Sequence, residues 1–386
     1  MTKEKSPLRL ALSNLVRKLR GRPLNPSPAS EKTASEPVKA IVEVPEDVTE
    51  APEEVVETTE DVARRLIAII DAAYPEALAT GVSEEVRDAA TKLAALDPGN
   101  KYPNDTVLAK IAFFANASSV DHALRNYHPL LVEKSVEFAY VTWPHRIRDF
   151  VRHKTVIDVG CGFGGFGTGF QVAGAQSYLG LDPAMPLDSS RAKNKRTREW
   201  ADKGSEIARI IPDIDLIHGT AEDLRTDRTF DLISLHNVTE HLINLETVIE
   251  GLKPLCHEST RVIFHHHNYY CWNGHHFRPN QPHQLDLTDE EHQKIYDWRH
   301  IDFIPNIPED HYFKTHLNRV RLDEIKRITE ANFDILEWTE RNSNAETLER
   351  LTPEVLDRVR RTIPDLTERD LSVNAVLCVA KPKGGL

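Results

Sequence analysis

Short runs of apolar and β-branched residues alternate with helix-like stretches from about residue 151 to the end of the chain. Five runs come in the first part of this region and two near its end: 156–160, 177–182, 214–219, 231–236, 261–267, 333–340 and 372–380. Runs of this length with helices between them predict buried strands of a mostly parallel sheet. The pattern therefore indicates an α/β domain over residues 151–386, with helices on both faces of the sheet.

In the region before this domain, apolar residues recur only at the spacing that is typical of helices. Between about 61 and 150, four segments place apolar residues at spacings of three and four, which predicts a helical N-terminal cap. Inside the α/β domain, residues 269–316 form an expected insertion after the fifth strand, and Thr288 with Glu291 has the spacing of a capping box. A further helix is expected over 352–362, between the last two strands.

The first sixty residues divide into two blocks of opposite charge. Residues 1–23 carry seven basic residues against one acid, and four leucines form one helical stripe: Leu8, Leu12, Leu15 and Leu19. This pattern predicts a basic amphipathic helix on an anionic membrane surface. A helix docked on its own domain, or a partly ordered tail, would show the same pattern. Residues 24–60 are rich in Pro, Glu, Ser and Thr, which predicts a disordered acidic linker.

Composition and charge limit the classes of partner that the chain is expected to bind. The formal net charge is −12, which makes a nucleic acid an unlikely main partner because phosphate binding needs a basic field. The four cysteines are far apart in sequence, so neither a zinc ribbon nor a disulfide framework is predicted. The sequence has no run of about 18 apolar residues. A cytoplasmic location follows as the expectation, with residues 1–23 as the contact to the inner membrane face.

The first strand of the α/β domain runs into a glycine-rich turn and then a helix. Gly160, Gly162 and Gly164 allow the backbone to turn sharply and to approach a ligand closely. Taken alone, the turn also fits the dinucleotide fingerprint, with Gly165 as its third glycine. Asp158 lies in the strand just before the turn, where its carboxylate can help to hold an amino group.

Two further positions point to a nucleoside ligand at the same edge of the sheet. Asp182 ends the second strand, where a carboxylate can accept both ribose hydroxyl protons. Ala221 and Glu222 follow the third strand, where a backbone amide and a carboxylate can read the adenine edge.

At this point the sequence resembles class I S-adenosylmethionine-dependent methyltransferases. VIDVGCGFGG, LGLDP, GTAEDL and FDLISLHNVTEHL are similar to four ordered motifs of that family. The resemblance covers about 150–270 and the last strand pair. It implies a Rossmann-like, seven-stranded, mostly parallel sheet with an antiparallel last strand, and S-adenosyl-L-methionine as cofactor. The residues that it assigns to the cofactor are Asp158, Gly160, Gly162, Gly164, Asp182, Ala221, Glu222 and His236.

Histidines follow the fourth and fifth strands, whose carboxyl ends face the reacting group in such sheets. His241, His265, His266 and His267 are the candidates for a general base that takes a proton from an attacking hydroxyl. Strand alternation prevents the last three from all pointing into one cleft.

A metal ion is the alternative to a simple base at this place. The run Asn237-x-x-Glu240-His241 resembles the E-x-x-E-H metal motif of ubiquinone-pathway O-methyltransferases and small-RNA 2′-O-methyltransferases, with Asn in place of the first acid. Asn237, Glu240 and His241 would then hold a divalent ion such as Mg²⁺ and lower the pKa of a substrate hydroxyl. In members without a metal, the Glu-His pair packs the turn, and the histidines would be polar residues of a wet cleft.

The histidines predict O-methylation, and residues 1–23 predict a peripheral membrane transferase. The insertion 269–316 carries aromatic and imidazole side chains that suit a polyhydroxylated acceptor and suit an ordinary lid equally well. The acceptor would be a hydroxyl of a sugar or of a lipid-linked glycan, as in polysaccharide modification at the cytoplasmic membrane face. A soluble small molecule, such as a quinone precursor or secondary metabolite, is the alternative acceptor. A non-catalytic methyltransferase-like scaffold is the alternative outside enzymes, and binding of S-adenosylmethionine would distinguish it.

Overall fold

The computed structural model describes most of the chain beyond residue 57. The described residues are 58–80, 82–96, 105–115, 129–162, 164–183, 214–222 and 224–384. The predicted basic helix 1–23 and the predicted linker 24–60, apart from its last three residues, lie outside them. Among the described residues, no helix combines the length and apolar character needed to cross a membrane.

Seven strands and fifteen α-helices make up the described part. The strands are β1 Thr155–Val159, β2 Ser177–Asp182, β3 Ile214–His218, β4 Phe230–His236, β5 Cys256–His267, β6 Phe333–Asn342 and β7 Val373–Pro382. The helices before β4 are α1 Thr59–Thr80, α2 Glu84–Leu96, α3 Asp105–Ala115, α4 Pro129–Glu137, α5 Thr142–Arg146, α6 Arg148–Val151 and α7 Phe166–Val172. Those after β4 are α8 Leu245–Gly251, α9 Glu290–Ile295, α10 Arg299–Asp302, α11 Tyr312–Thr315, α12 Leu322–Asn332, α13 Ala345–Leu348, α14 Pro353–Thr362 and α15 Glu368–Ser372.

The strands form one sheet in the order β3-β2-β1-β4-β5-β7-β6. The pairs from β3 to β5 are parallel, whereas β7 runs antiparallel to both β5 and β6. This confirms the expected seven-stranded sheet with an antiparallel last strand. The order reverses at β1 and β4, so the ends of these two strands border the crevice in which open α/β sheets bind ligands.

Apolar cores cover both faces of the sheet. On one face, Ile233 of β4 belongs to the same core as Ile249 of α8 and Ile325 of α12. On the other face, Trp143 of α5 lies in one core with Phe170 of α7. Helices α1 to α4 build a third core, to which Val141 and Val172 of α7 also belong. Because α5 and α6 belong to the core of the sheet, the helical region and the α/β region are continuous at residues 142–151.

The insertion after β5 packs against the long connection between β6 and β7. Their side chains share one core, and the Trp298 indole donates to the carbonyl oxygen of Leu371 over 3.2 Å. Arg350 forms a two-pronged ion pair with Asp297, at 2.5 and 2.8 Å. The two departures from a minimal sheet domain therefore stabilise each other, since each buries the apolar side of the other.

Two local expectations have different outcomes. The helix expected over 352–362 is confirmed as α14, with Thr352 as its N-cap. The capping box of Thr288 and Glu291 is wrong, because Asp289 is the N-cap of α9 and its carboxylate accepts from the backbone N–H groups of Glu291 and His292. The hydroxyl of Thr288 instead donates to Asp286.

Candidate active site

The glycine-rich turn leaves β1 at Gly160 and enters α7. Gly160, Gly162 and Gly164 have φ angles of 78°, 62° and 80°, a region that side chains strongly disfavour. A Cβ on Gly160 would lie 2.2 Å from Val238, so the turn approaches the segment after β4 closely. A Cβ on Gly162 would meet no atom within 4 Å, so this part of the turn faces open space. The turn thus has both the shape and the free volume for a bound cofactor.

Two carboxylates flank this turn. The backbone N–H of Gly162 donates to Asp182 at the end of β2, over 2.8 Å. Asp158 is buried under the turn and accepts from the hydroxyls of Tyr178 and Ser234, each over 3.0 Å. Burial raises the pKa of Asp158 to about 7. Asp182 is therefore the more accessible carboxylate of the pair, and Asp158 lies buried beneath the turn.

The segment after β3 borders the same crevice. Ala221 is buried, and Glu222 is held by the side-chain amide of Asn244, which donates to its carboxylate over 2.6 Å. Residue Asp223 lies outside the described residues. The structure therefore brings the predicted Ala221 and Glu222 to the edge of the sheet that also carries Asp182.

His236 closes the crevice at the end of β4. Its ring stacks on the indole of Trp143, with centroids 4.5 Å apart and an angle of 15° between the planes. Trp143 is itself fixed, because its Nε1–H donates to Ser234, which in turn donates to Asp158. Burial lowers the pKa of His236 to about 3, so the ring is neutral. An indole, a hydroxyl and a carboxyl group thus form one chain from α5 to the glycine turn.

His265 and Asn237 form a pair across β5 and the segment after β4. The Oδ1 atom of Asn237 is 2.5 Å from Nδ1 of His265, and its backbone N–H donates to the carbonyl oxygen of the same residue. Burial lowers the pKa of His265 to about 2, and the neighbouring His236 acts in the same direction. Asn237 is thereby engaged away from Glu240, its expected co-ligand.

A short 3-10 turn, Thr239–His241, carries the two residues of the Glu-His pair. Asn318 fixes this turn, because its side-chain amide donates to the carbonyl oxygens of Thr239 and Leu242. Nδ1 of His241 lies 2.7 Å from the carbonyl oxygen of His316. A carbonyl oxygen can only accept, so Nδ1 carries the proton and Nε2 of a neutral ring keeps a free lone pair.

The three consecutive histidines of β5 have different surroundings. His266 is 1% exposed; its Nδ1 faces the hydroxyl of Thr239 at 3.0 Å and its Nε2 has no partner. His267 instead faces His276, whose Nε2 is 2.9 Å from its Nδ1. Burial lowers the pKa of His266 to about 3 and that of His267 to about 4. His266 is therefore enclosed, while His265 and His267 contact groups of the crevice.

Glu240 ends up beside His267 and His276 rather than beside Asn237. One ligand atom from each of these three residues lies within 4.8 Å of the other two. Burial raises the pKa of Glu240 to about 8. The ring of His241 contacts that of His276, with centroids 4.9 Å apart.

Several residues of the site had no signal in the sequence. Trp143 lies in a stretch that reads as an ordinary helix, and Ser234 lies inside a buried strand. Asn318 is distant in sequence from the turn that it fixes. His276 stands in the histidine-rich run after β5, which marked the region, but its partner Glu240 could only be found once the chain was folded.

Comparison with known proteins gives the family. The family model described as a methyltransferase domain matches residues 135–337, which is more than half of the chain. No curated protein matches the sequence.

Solved structures with a related fold have low similarity. A putative S-adenosylmethionine-dependent methyltransferase from Listeria monocytogenes has 19% identity and a TM-score of 0.37, covering 63% of this chain and 97% of its own. A methyltransferase from Mesorhizobium loti has 15% identity and a TM-score of 0.36, with 62% and 97% covered. A putative methyltransferase from Bacillus halodurans has 12% identity and a TM-score of 0.35, with 63% and 99% covered.

The family match, the seven-stranded sheet and the glycine turn with its carboxylates agree with one another. S-adenosyl-L-methionine, which supplies an electrophilic methyl group on a sulfonium, is the cofactor of this family. The chain belongs to the class I S-adenosylmethionine-dependent methyltransferases.

Proposed function

We propose that this enzyme transfers the methyl group to a hydroxyl oxygen, and that the acceptor is a sugar or a lipid-linked glycan. The observation that carries the proposal is the group of imidazoles at the carboxyl ends of β4 and β5, namely His236, His241, His265, His267 and His276. A hydroxyl is a weak nucleophile until its proton leaves, and a neutral imidazole is the side chain best suited to accept that proton.

We assign the cofactor to the residues around the glycine turn. Asp182 would accept the ribose hydroxyl protons, Glu222 and Ala221 would border the adenine, and Asp158 would support the amino end of the methionine part. Gly160, Gly162, Gly164 and His236 would shape the floor of the crevice. The open space above Gly162 supports this assignment, because a side chain there would compete with a ligand for the same volume.

Among the candidate bases, His241 has the best-defined proton position. Its Nδ1–H is held by the carbonyl oxygen of His316, so Nε2 is the basic nitrogen. In the reaction, Nε2 would take the hydroxyl proton while the acceptor oxygen bonds to the methyl carbon and the carbon–sulfur bond breaks. His265 is the alternative base, since Asn237 holds its Nδ1 in the same manner. The enclosed His266 and the paired His267 are less suited to this step.

The acceptor class is supported by the insertion after β5. A groove of about 480 Å³ is lined by aromatic side chains, including the exposed Phe277 and Phe303, with Arg278 beside them and with Lys294 paired to Glu291. Aromatic faces stack on sugar rings, and the guanidinium of Arg278 suits the phosphate of an activated or lipid-linked sugar. A soluble phenolic or quinone-like acceptor would use the aromatic faces but not the guanidinium.

The test is an acceptor panel with the purified enzyme and S-adenosylmethionine. Nucleotide-linked sugars, polyprenyl-phosphate-linked sugars and catechols are compared by release of S-adenosylhomocysteine, and the position of the new methyl group is read by NMR. We expect an O-methyl sugar. A methyl group on nitrogen or carbon, or turnover of catechols alone, would contradict the proposal.

The base is tested once an acceptor is known. His241→Ala should lower kcat by about 10²–10⁴-fold and leave the affinity for S-adenosylmethionine unchanged. His265→Ala is the matched comparison, because it removes the alternative base from the same wall. If His265→Ala shows the large loss of kcat and His241→Ala does not, the assignment of His241 is wrong.

A further inference from the structure

Glu240 is a carboxyl group that the fold buries almost completely. It is 1% exposed, and neither of its side-chain oxygens makes a well-formed hydrogen bond, although the backbone of His267 and the hydroxyl of Thr239 lie near them. Buried polar groups are nearly always hydrogen-bonded, so a carboxyl group enclosed in this way needs a compensating partner. Asn318 holds the turn that carries Glu240 in place. The burial of the Glu240 side chain is therefore a property of a fixed turn and not of a loose loop.

Two imidazoles complete a set of metal-ligating groups around this carboxylate. One ligand atom each from Glu240, His267 and His276 lies within 4.8 Å of the other two, and the facing nitrogens of the two rings are 2.9 Å apart. Ligand atoms that share an ion at about 2.0–2.2 Å are themselves roughly 3–4 Å apart. The three groups are thus close enough to bind a single ion with small side-chain adjustments.

Neighbouring amides fix the proton of His267 on the far side of its ring. The side-chain amide of Asn374 donates to Oδ1 of Asn273 over 2.8 Å, which identifies that oxygen as an acceptor. Nε2 of His267 lies 3.2 Å from the same oxygen and must therefore donate its N–H to it. In the neutral ring, Nδ1 then keeps its lone pair and directs it toward His276 and Glu240. An outer amide that orients a histidine in this way is typical of metal-binding histidines.

The backbone holds His276 over the end of β5 at a conformational cost. His276 has a φ of 60°, a region that is uncommon for residues other than glycine. Its backbone N–H donates to the carbonyl oxygen of Asn273, which closes the turn. Gly274 in this turn has no room for a side chain, since a Cβ would lie 2.0 Å from the carbonyl oxygen of Tyr269. Such strain is found where a side chain must be aimed at a site.

We propose that Glu240, His267 and His276 bind one divalent transition-metal ion of the zinc, iron or manganese class. Two imidazoles and one carboxylate suit these ions, whereas Mg²⁺ prefers ligand sets made of oxygen alone. The set differs from Asn237, Glu240 and His241, because Asn237 is paired with His265 and His241 is paired with His316. Three protein ligands leave a coordination position open, as catalytic sites do.

The role of this ion rests on the proposed O-methylation. The open position would receive the acceptor hydroxyl, and the charge of the ion would make its proton easier to lose to Nε2 of His241. The oxygen then bonds to the methyl carbon as the carbon–sulfur bond breaks, and the electron pair stays on sulfur. No electron leaves or enters the ion, so no oxidant or reductant is required.

Metal binding is tested on the full chain without using activity. The protein is stripped with a chelator, dialysed, and titrated separately with Zn²⁺, Co²⁺ and Mg²⁺, while metal content and the visible absorption of Co²⁺ are recorded. We expect about one Zn²⁺ or Co²⁺ per chain. Glu240→Gln and His276→Ala should each weaken binding by about 10²-fold or more. His283→Ala is the matched control, because its exposed ring pairs with Glu346 outside the proposed ligand set, and this variant should bind metal as the parent does.

The outcomes separate the site from the proposed function. Calorimetry with S-adenosylmethionine shows that each variant is folded. If the folded protein binds neither Zn²⁺ nor Co²⁺, or if both ligand variants bind them unchanged, the site is wrong. Binding of Mg²⁺ alone would overturn the ion class. If the stripped enzyme makes the O-methyl product at full rate, the catalytic role of the ion is overturned. A methyl group found on nitrogen or carbon would overturn the proposed function and leave the metal result standing.

Discussion

Asp158 is a carboxyl group whose ordinary pKa of 3.8 is raised to about 7 by burial. Because the folded-state pKa lies above that of the unfolded chain, the protonated carboxyl favours the folded state fully only below about pH 4. This contribution is lost as pH rises toward 7 and then stays constant. Close to pH 7 the carboxyl is about half ionised, and its charged form lowers the stability of the fold.

The raised pKa of Asp158 predicts how the stability of the protein changes with pH. Asp158→Asn has nearly the same shape and cannot ionise, although its amide can accept from only one of the Tyr178 and Ser234 hydroxyls and must donate to the other. The difference in free energy of unfolding, variant minus parent, should therefore rise by about 1.4 kcal/mol per pH unit between about pH 5 and 7. Above about pH 8 this difference should stay constant. Denaturant titrations at several pH values measure the difference. The exposed Asp334→Asn on β6 is the control, and a pH-independent difference for Asp158→Asn would contradict the buried, raised-pKa carboxyl.

The second prediction concerns Asp182 at the end of β2. Asp182→Ala removes the acceptor of the backbone N–H of Gly162 and the acceptor that we propose for the ribose hydroxyls. Since hydrogen bonds to a charged group contribute about 1.5–3 kcal/mol each, the affinity for S-adenosylmethionine should fall by about 10–100-fold or more. Calorimetry measures this, and circular dichroism checks the fold. An unchanged affinity would show that Asp182 does not hold the cofactor.

The turn between β1 and α7 contains one glycine that has no room for a side chain and another that faces open space. Gly160→Ala should unfold the protein at markedly lower temperature, because its Cβ would collide with Val238. Gly162→Ala introduces no collision and should cost only about 1–2 kcal/mol from its positive φ. Both variants should nevertheless bind S-adenosylmethionine poorly. Thermal unfolding and calorimetry test this pair, and full cofactor affinity in Gly162→Ala would contradict a ligand over the turn.

The strands were largely predictable, because each is a short apolar run between breakers. β2 has the expected bounds, whereas β5 begins at Cys256, five residues before the expected run, because residues 257–259 are partly or fully exposed and form no apolar run. The capping box at Thr288 failed for a local reason. Asp286 and Asp289 both compete for the same short turn, and spacing alone cannot tell which side chain reaches the helix N–H groups.

At the scale of the whole molecule, residues 1–57 contribute a basic block and most of an acidic block that precede α1. We predict that deletion of residues 1–57 leaves cofactor affinity unchanged and abolishes co-sedimentation with anionic vesicles. The reason is the leucine stripe with its basic flanks, which together suit an anionic surface. Neutral vesicles are the control. Equal co-sedimentation of the full and shortened proteins would contradict a membrane role for this segment.

The class of fold, the order of the cofactor motifs and the position of the histidines at the strand ends follow from the sequence alone. Periodicity and turn residues act over a few positions, so they can be read along the chain. Only the tertiary structure decided which polar groups meet. It paired Asn237 with His265, brought Glu240 to His267 and His276, and joined the insertion to the β6–β7 connection. Such contacts depend on strand order and on which face each side chain occupies, and no local pattern in the sequence encodes either.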